Sequence, residues 1–206
     1  MMNNYDQVYQ DKLVVKETLQ EYASPRSKLT RMFDSRQLLP IRRGLYLAGS
    51  ETPFSLKTLA NIVAGPSYVS FESALAYYGF IPERVLNITS AIYGKNKHKR
   101  FKTPVGTFLY RHIPEAVYFL EYRRLEEDGH PFLIATAEKA ICDTLYQHRQ
   151  TITLSGLSKL IYDDLRIEVD SVNSLDLDVI KALAPGYGKK VITRFAHWLE
   201  KEILNA

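Results

Sequence analysis

A group of strand-like segments enclosed by helical segments limits the possible folds of this chain most strongly. Four segments, 85–93, 107–112, 117–125 and 131–135, carry the β-branched and aromatic residues that strands favour. Helical periodicity precedes them and dominates after them. Grouped strands followed by grouped helices are typical of an α+β architecture. We therefore expect a small sheet packed by helices, with a helical C-terminal part.

The first fifty residues have a different pattern. A helical stretch over residues 10–22 ends at Ser24-Pro25, because the residue before proline avoids the helical region. A second helix follows, and residues 41–47 then alternate around Gly44, as in two short strands or a bent β-wing. A break follows at residues 49–53. This order predicts a winged helix-turn-helix domain over residues 1–52 and a mixed α/β domain over residues 53–206, with separate cores.

Composition excludes several classes of protein. The single cysteine, Cys142, excludes an intramolecular disulfide framework and a zinc site built on several thiolates. No two histidines have the spacing of metal ligands, so we expect neither a metal nor another cofactor. No apolar run approaches the length of a bilayer span, and the N-terminus lacks the pattern of a signal peptide. We therefore expect a cytoplasmic protein without membrane contact.

Charge is distributed unevenly along the chain. Residues 1–102 carry a balance of +7, residues 103–188 carry −5, and the remainder carries +2. Within residues 24–43, six basic residues face one acid. Such density favours contact with a polyanion, although an ordinary solvated basic face remains the alternative. The candidate DNA-binding residues lie on the second helix and on the wing: Arg26, Ser27, Lys28, Thr30, Arg31, Arg42 and Arg43.

Two further charged segments have open interpretations. The run 95–102 contains five bases and no acid, without an apolar period, so we predict a loop or a hairpin tip. The basic run 95–102 has three possible roles: a second phosphate contact through Lys95, Lys97, Lys99 and Arg100, a surface for an acidic partner, or solubility alone. The acidic segment 163–178 has a balance of −5 and either meets a basic partner or keeps the C-terminal helices soluble.

Two motifs contain residues that also occur in active sites. Ser70 precedes a helical stretch with Glu72 in its first turn, so we predict a helix N-cap rather than a nucleophile. The glycines of a nucleophile elbow are absent there. Lys139 and Asp143 have i, i+4 spacing in a helix predicted from Thr136 to about His148. They form either a solvated face or a polar contact that fixes the helix to the sheet.

Three motifs resemble one known family. Residues 41–46 (Ile-Arg-Arg-Gly-Leu-Tyr), 68–82 (Tyr-Val-Ser-Phe-Glu-Ser-Ala-Leu-Ala-Tyr-Tyr-Gly-Phe-Ile-Pro) and 133–143 (Leu-Ile-Ala-Thr-Ala-Glu-Lys-Ala-Ile-Cys-Asp) are similar to stretches of the AbiEi-type antitoxins and transcriptional regulators. Their order and spacing agree with that family. The resemblance covers roughly residues 10–150.

The resemblance implies a transcriptional autorepressor and antitoxin of a type IV toxin–antitoxin system. Its expected partners are double-stranded DNA of its own operon, a nucleotidyltransferase-type toxin and a second copy on DNA. Two other classes remain. One is a non-enzymatic protein-interaction module without sequence-specific DNA binding. The other is an enzyme related to nucleases or nucleotidyltransferases, which the absence of an Asp/Glu/Lys or Gly-Ser cluster disfavours.

Overall fold

The chain folds into a mixed α+β structure with two β-sheets, which confirms the α+β class that the sequence predicts. The computed structural model describes residues 8–49, 52–82, 85–94, 98–148 and 153–205 of the 206. None of the helices in these ranges is long and apolar enough to cross a membrane.

The first sheet has three antiparallel strands in the order β1-β3-β2. The elements of this part are β1 (Tyr9–Asp11), α1 (Lys12–Thr18), α2 (Pro25–Asp34), β2 (Leu38–Arg42) and β3 (Leu45–Ala48). Helix α1 is shorter than the helix predicted over residues 10–22, since it covers only Lys12–Thr18. It begins after Asp11, whose carboxylate accepts hydrogen bonds from the N–H groups of Leu13 and Val14.

The second sheet has six strands in the order β6-β7-β5-β4-β9-β8. Its strands are β4 (Ser67–Val69), β5 (Asn87–Ile92), β6 (Lys99–Thr103), β7 (Gly106–His112), β8 (Tyr122–Glu127) and β9 (His130–Ala135). The first helices around it are α3 (Leu56–Val63), α4 (Glu72–Tyr77), α5 (Glu115–Tyr118) and α6 (Ala137–Gln147). The C-terminal part contains α7 (Leu154–Ser158), a π-helical turn (Lys159–Asp164), α8 (Val169–Asn173), α9 (Leu177–Tyr187) and α10 (Lys190–Asn205).

Helices cover both faces of the large sheet. On one face the Tyr110 hydroxyl donates to the Ala60 carbonyl of α3 at 2.6 Å. Tyr68 projects from the other face and reaches Asp143 of α6. Helices α9 and α10 pack against α6 and form the outer layer on that side.

Two predicted segments differ from the structure. The segment 117–125 is not one strand, because Val117 and Tyr118 are buried side by side in the short helix α5 before β8 begins. In the run 95–102, predicted to be a loop or a hairpin tip, residues 99–102 instead belong to the outer strand β6. Phe101 explains the difference, because its ring packs against Tyr110 in a T-shaped contact and anchors the strand to the core.

The hydrophobic core also differs from the expectation of two separate cores. Tyr9, Leu45 and Leu47 of the small sheet belong to the same buried cluster as the core of the large sheet. A second, small cluster of Val15, Leu19 and Leu38 lies beneath α1 and α2. The small sheet thus buries apolar residues on both faces and packs directly on the rest of the molecule.

Tyr9 makes a polar contact across this junction. Its hydroxyl accepts a hydrogen bond from the Ser55 N–H at 2.8 Å and lies 3.3 Å from Nδ1 of His130. Ser55 is also the N-cap of α3, where its side chain accepts a hydrogen bond from the Thr58 N–H. The orientation of the small sheet is therefore fixed relative to α3 and β9.

Candidate nucleic-acid interface

Helix α2 is attached to the molecule along one side and is otherwise open to solvent. Leu29, Met32 and Phe33 are partly buried and pack against the small apolar cluster, as their i, i+3, i+4 spacing predicts. No residue of α2 is fully buried. The helix therefore presents a long exposed face.

The predicted DNA-binding residues of α2 lie on that face, and all of them except Lys28 are exposed: Arg26, Ser27, Thr30 and Arg31. Lys28 is partly buried, and its ammonium lies 5.0 Å from the centre of the Tyr22 ring, a cation–π contact.

Both hydroxyls on this face have partners within the chain. Ser24 Oγ donates to Ser27 Oγ at 2.9 Å, and Thr30 Oγ1 donates to the Arg26 carbonyl at 3.1 Å. The guanidinium groups of Arg26 and Arg31 are consequently the best placed of these groups to reach a ligand.

The turn between β2 and β3 carries the two predicted wing arginines. Arg42 ends β2, Arg43 follows it, and both are exposed. Gly44 has a φ of +83°, which favours glycine and allows the tight return into β3. The hairpin thus holds two adjacent cations at its tip.

Part of the second basic run lies close to this hairpin. Strand β2 packs against β6, whose Lys99 and Arg100 are exposed. Arg42 also lies near Tyr110, which pairs with Lys99 in the sheet. Burial raises the pKa of the Tyr110 hydroxyl, and the positive charge of Arg42 opposes part of this rise. The structure therefore brings Arg42 and β6 into one region. Lys95 and Lys97 lie outside the described residues.

A groove between α1 and α2 adds two cations that the sequence reasoning did not single out. It encloses about 390 Å³, and Lys12, Lys16 and Arg26 contribute to its lining. Lys12 and Lys16 are one helical turn apart, so their shared face was visible in the spacing. With the hairpin and α2 they extend the positive surface of the first fifty residues.

The second candidate site is a cluster of buried polar side chains around Asp143. Its geometry shows that the N-cap prediction for Ser70 is wrong. Ser70 does not cap a helix, because α4 starts after Phe71, which has a φ of +55°. Instead its hydroxyl donates to Asp143 Oδ2 at 2.7 Å. Lys139 Nζ donates to Asp143 Oδ1 at 3.0 Å and to the Tyr187 hydroxyl at 2.7 Å. Lys139 and Asp143 are fully buried, so they are not a solvated face.

Two tyrosines complete this cluster. The hydroxyls of Tyr187 and Tyr68 donate to Asp143 at 2.5 and 3.2 Å. Burial raises the pKa of both hydroxyls well above the ordinary value, and the negative charge of Asp143 raises it further. Both groups therefore remain protonated donors. The cluster joins β4, α6 and α9, which gives it a structural role.

Cys142 lies on α6 next to Asp143 and is also buried. Burial raises the pKa of the Cys142 thiol, which keeps it protonated. Among the residues that the structure describes, no group of three or more His, Cys, Asp or Glu side chains is arranged to hold a metal ion.

Comparison with known proteins adds no relative: the chain matches no protein-family model and no curated protein. The resemblance to the AbiEi-type family therefore rests on the three motifs quoted above.

Proposed function

We propose that this protein is a DNA-binding autorepressor that also acts as the antitoxin of a type IV toxin–antitoxin pair. The observation that carries the DNA-binding part is the exposed basic face of α2 beside an arginine-tipped hairpin. An α-helix fits the DNA major groove, and a flanking hairpin reaches the backbone or the minor groove.

The order of elements supports a winged helix. In such domains a short strand precedes two helices and pairs with the last strand of the hairpin. The first sheet has this arrangement, with β1 next to β3 and β2 outside it. In this alignment α2 is the recognition helix. The helix that opens such a domain would fall before Tyr9, where the structure describes only Val8.

The proposed contacts divide into two kinds. Arg26 and Arg31 on α2 reach base edges, where side chains read sequence. Arg42 and Arg43 contact phosphates, and Lys99 and Arg100 extend the same contact along the duplex. Phosphate contacts release counterions, so binding depends steeply on salt.

A band-shift titration with the DNA upstream of the operon tests this proposal. We expect binding whose logarithmic affinity falls linearly with the logarithm of salt concentration, with a slope of several units. Scrambled DNA of the same length is the control for sequence preference. Binding that does not change with salt, or no shift with the upstream DNA, would contradict the proposal.

The antitoxin part rests on the family resemblance and needs its own experiment. The chain is expressed from an unrelated promoter together with the nucleotidyltransferase-type toxin that the resemblance implies, and growth is measured. We expect growth to be restored by the parent chain and by Arg42→Ala/Arg43→Ala. A double variant that fails to protect while remaining folded would show that the DNA-binding surface, not the larger part of the chain, carries protection.

A further inference from the structure

The last strand of the large sheet has an open edge. Strand β8 pairs with β9 on one side, and none of the described strands pairs with its other side. An unpaired edge exposes a row of N–H and C=O groups that another strand can bind.

The hydrogen bonds between β8 and β9 determine which backbone N–H and C=O groups of β8 point to the open edge. The N–H of Thr136 donates to the Glu121 carbonyl at 3.0 Å, so these residues form a hydrogen-bonded pair at the end of the β8–β9 ladder. Bonded and non-bonded pairs alternate in an antiparallel ladder. The backbone of Leu125 therefore faces β9, whereas the N–H and C=O groups of Arg124 and Glu126 point to the open edge.

The charged residues of β8 are complementary to those of a second β8 strand in antiparallel orientation. The strand reads Arg123-Arg124-Leu125-Glu126-Glu127. If a second copy pairs with it in antiparallel orientation about Leu125, each Arg124 lies opposite a Glu126 and each Arg123 opposite a Glu127. Opposite charges at facing positions stabilise a strand pair, and like charges destabilise it.

This pattern also fixes the register. A shift of two residues in one direction places Arg124 opposite Arg124, and a shift in the other direction places Glu126 opposite Glu126. Both side chains are exposed, and only a weak contact of 4.0 Å joins them within the strand. The same charges discourage pairing with an unrelated apolar strand.

We propose that this edge is a dimer interface, at which β8 strands of two copies pair in antiparallel orientation about Leu125. The two six-stranded sheets then form one continuous sheet around a two-fold axis. Such an interface uses the same patch on both copies and closes the assembly at two. The inference concerns self-association and does not depend on DNA binding.

Charge reversal and mixing test the proposal with the full chain in sedimentation equilibrium. We expect a dimer for the parent chain, and dimers weakened by about tenfold or more for Arg124→Glu and for Glu126→Arg. An equimolar mixture of these two variants restores a dimer, because every facing pair then has opposite charges. The double variant Arg124→Glu/Glu126→Arg restores a homodimer for the same reason.

The controls separate this interface from general charge effects and from misfolding. Lys201→Glu changes the charge equally at an exposed position of α10 and leaves the dimer unchanged. Two misfolded variants would not regain a dimer on mixing, so the mixture guards against loss of folding. A monomeric parent chain, or single reversals that remain fully dimeric, would overturn the proposal. A monomer that still binds the upstream DNA would overturn the dimer and leave the proposed function standing.

Discussion

Replacing Lys139 by methionine is expected to lower the free energy of unfolding by about 3–5 kcal/mol. The substitution keeps the length of the side chain but removes the cation that faces Asp143 at 3.0 Å. Asp143 is fully buried, so its carboxylate would remain without a counter-charge in the core. Urea unfolding followed by circular dichroism measures the loss.

Lys181→Met provides the matched control. Lys181 contacts Glu200 at 2.7 Å, but both side chains are more than two-fifths exposed. An exposed pair contributes at most about 1 kcal/mol. Equal losses for the two variants would show that burial does not strengthen the Lys139–Asp143 interaction and would contradict the structural role of the cluster.

Ser70→Ala serves as the intermediate case in this series. It removes the 2.7 Å hydrogen bond to Asp143 but leaves the ion pair in place. A hydrogen bond to a charged group contributes about 1.5–3 kcal/mol. We expect the loss to fall between those of Lys181→Met and Lys139→Met.

Replacing Arg42 and Arg43 by alanine is expected to weaken DNA binding by about tenfold or more and to reduce the slope of its salt dependence by about 2. Each phosphate contact contributes about 0.9 to that slope. Fluorescence anisotropy with labelled upstream DNA at several salt concentrations measures both quantities. The loss should be similar for specific and scrambled DNA, because phosphate contacts carry no sequence information.

Lys190→Ala/Lys201→Ala is the control for total charge. Both lysines are exposed on α10, in the C-terminal part of the chain. We expect their loss to leave the slope nearly unchanged. If both double variants weaken binding equally, the hairpin has no special role, and the basic surface attracts DNA only through net charge.

The sequence predicted those elements whose signals are local. The helix predicted from Thr136 to about His148 and the second helix after Ser24-Pro25 follow from short-range chemistry, and both occur in the structure. The exposure of Arg42 and Arg43 follows from their place beside Gly44 in a tight turn.

Features that depend on distant partners were not predictable in this way. The local sequence around Ser70 resembles a helix cap, but its hydrogen-bond partner Asp143 lies 73 residues further along the chain. The i, i+4 spacing of Lys139 and Asp143 was visible, whereas their burial depends on Tyr187 of a later helix. Tertiary packing also decides that Val117 belongs to a helix rather than to a strand.

The shared hydrophobic core has a consequence for how the protein responds to a ligand. Because Tyr9, Leu45 and Leu47 pack within the same cluster as the large sheet, the two parts cannot melt independently without exposing that cluster. A ligand that binds only the folded state stabilises everything that unfolds with its site, by an amount set by its concentration relative to Kd. We therefore expect a ligand bound at the hairpin to stabilise α6 and α9 as well, and thermal unfolding to proceed as one transition that moves to higher temperature as the ligand concentration rises.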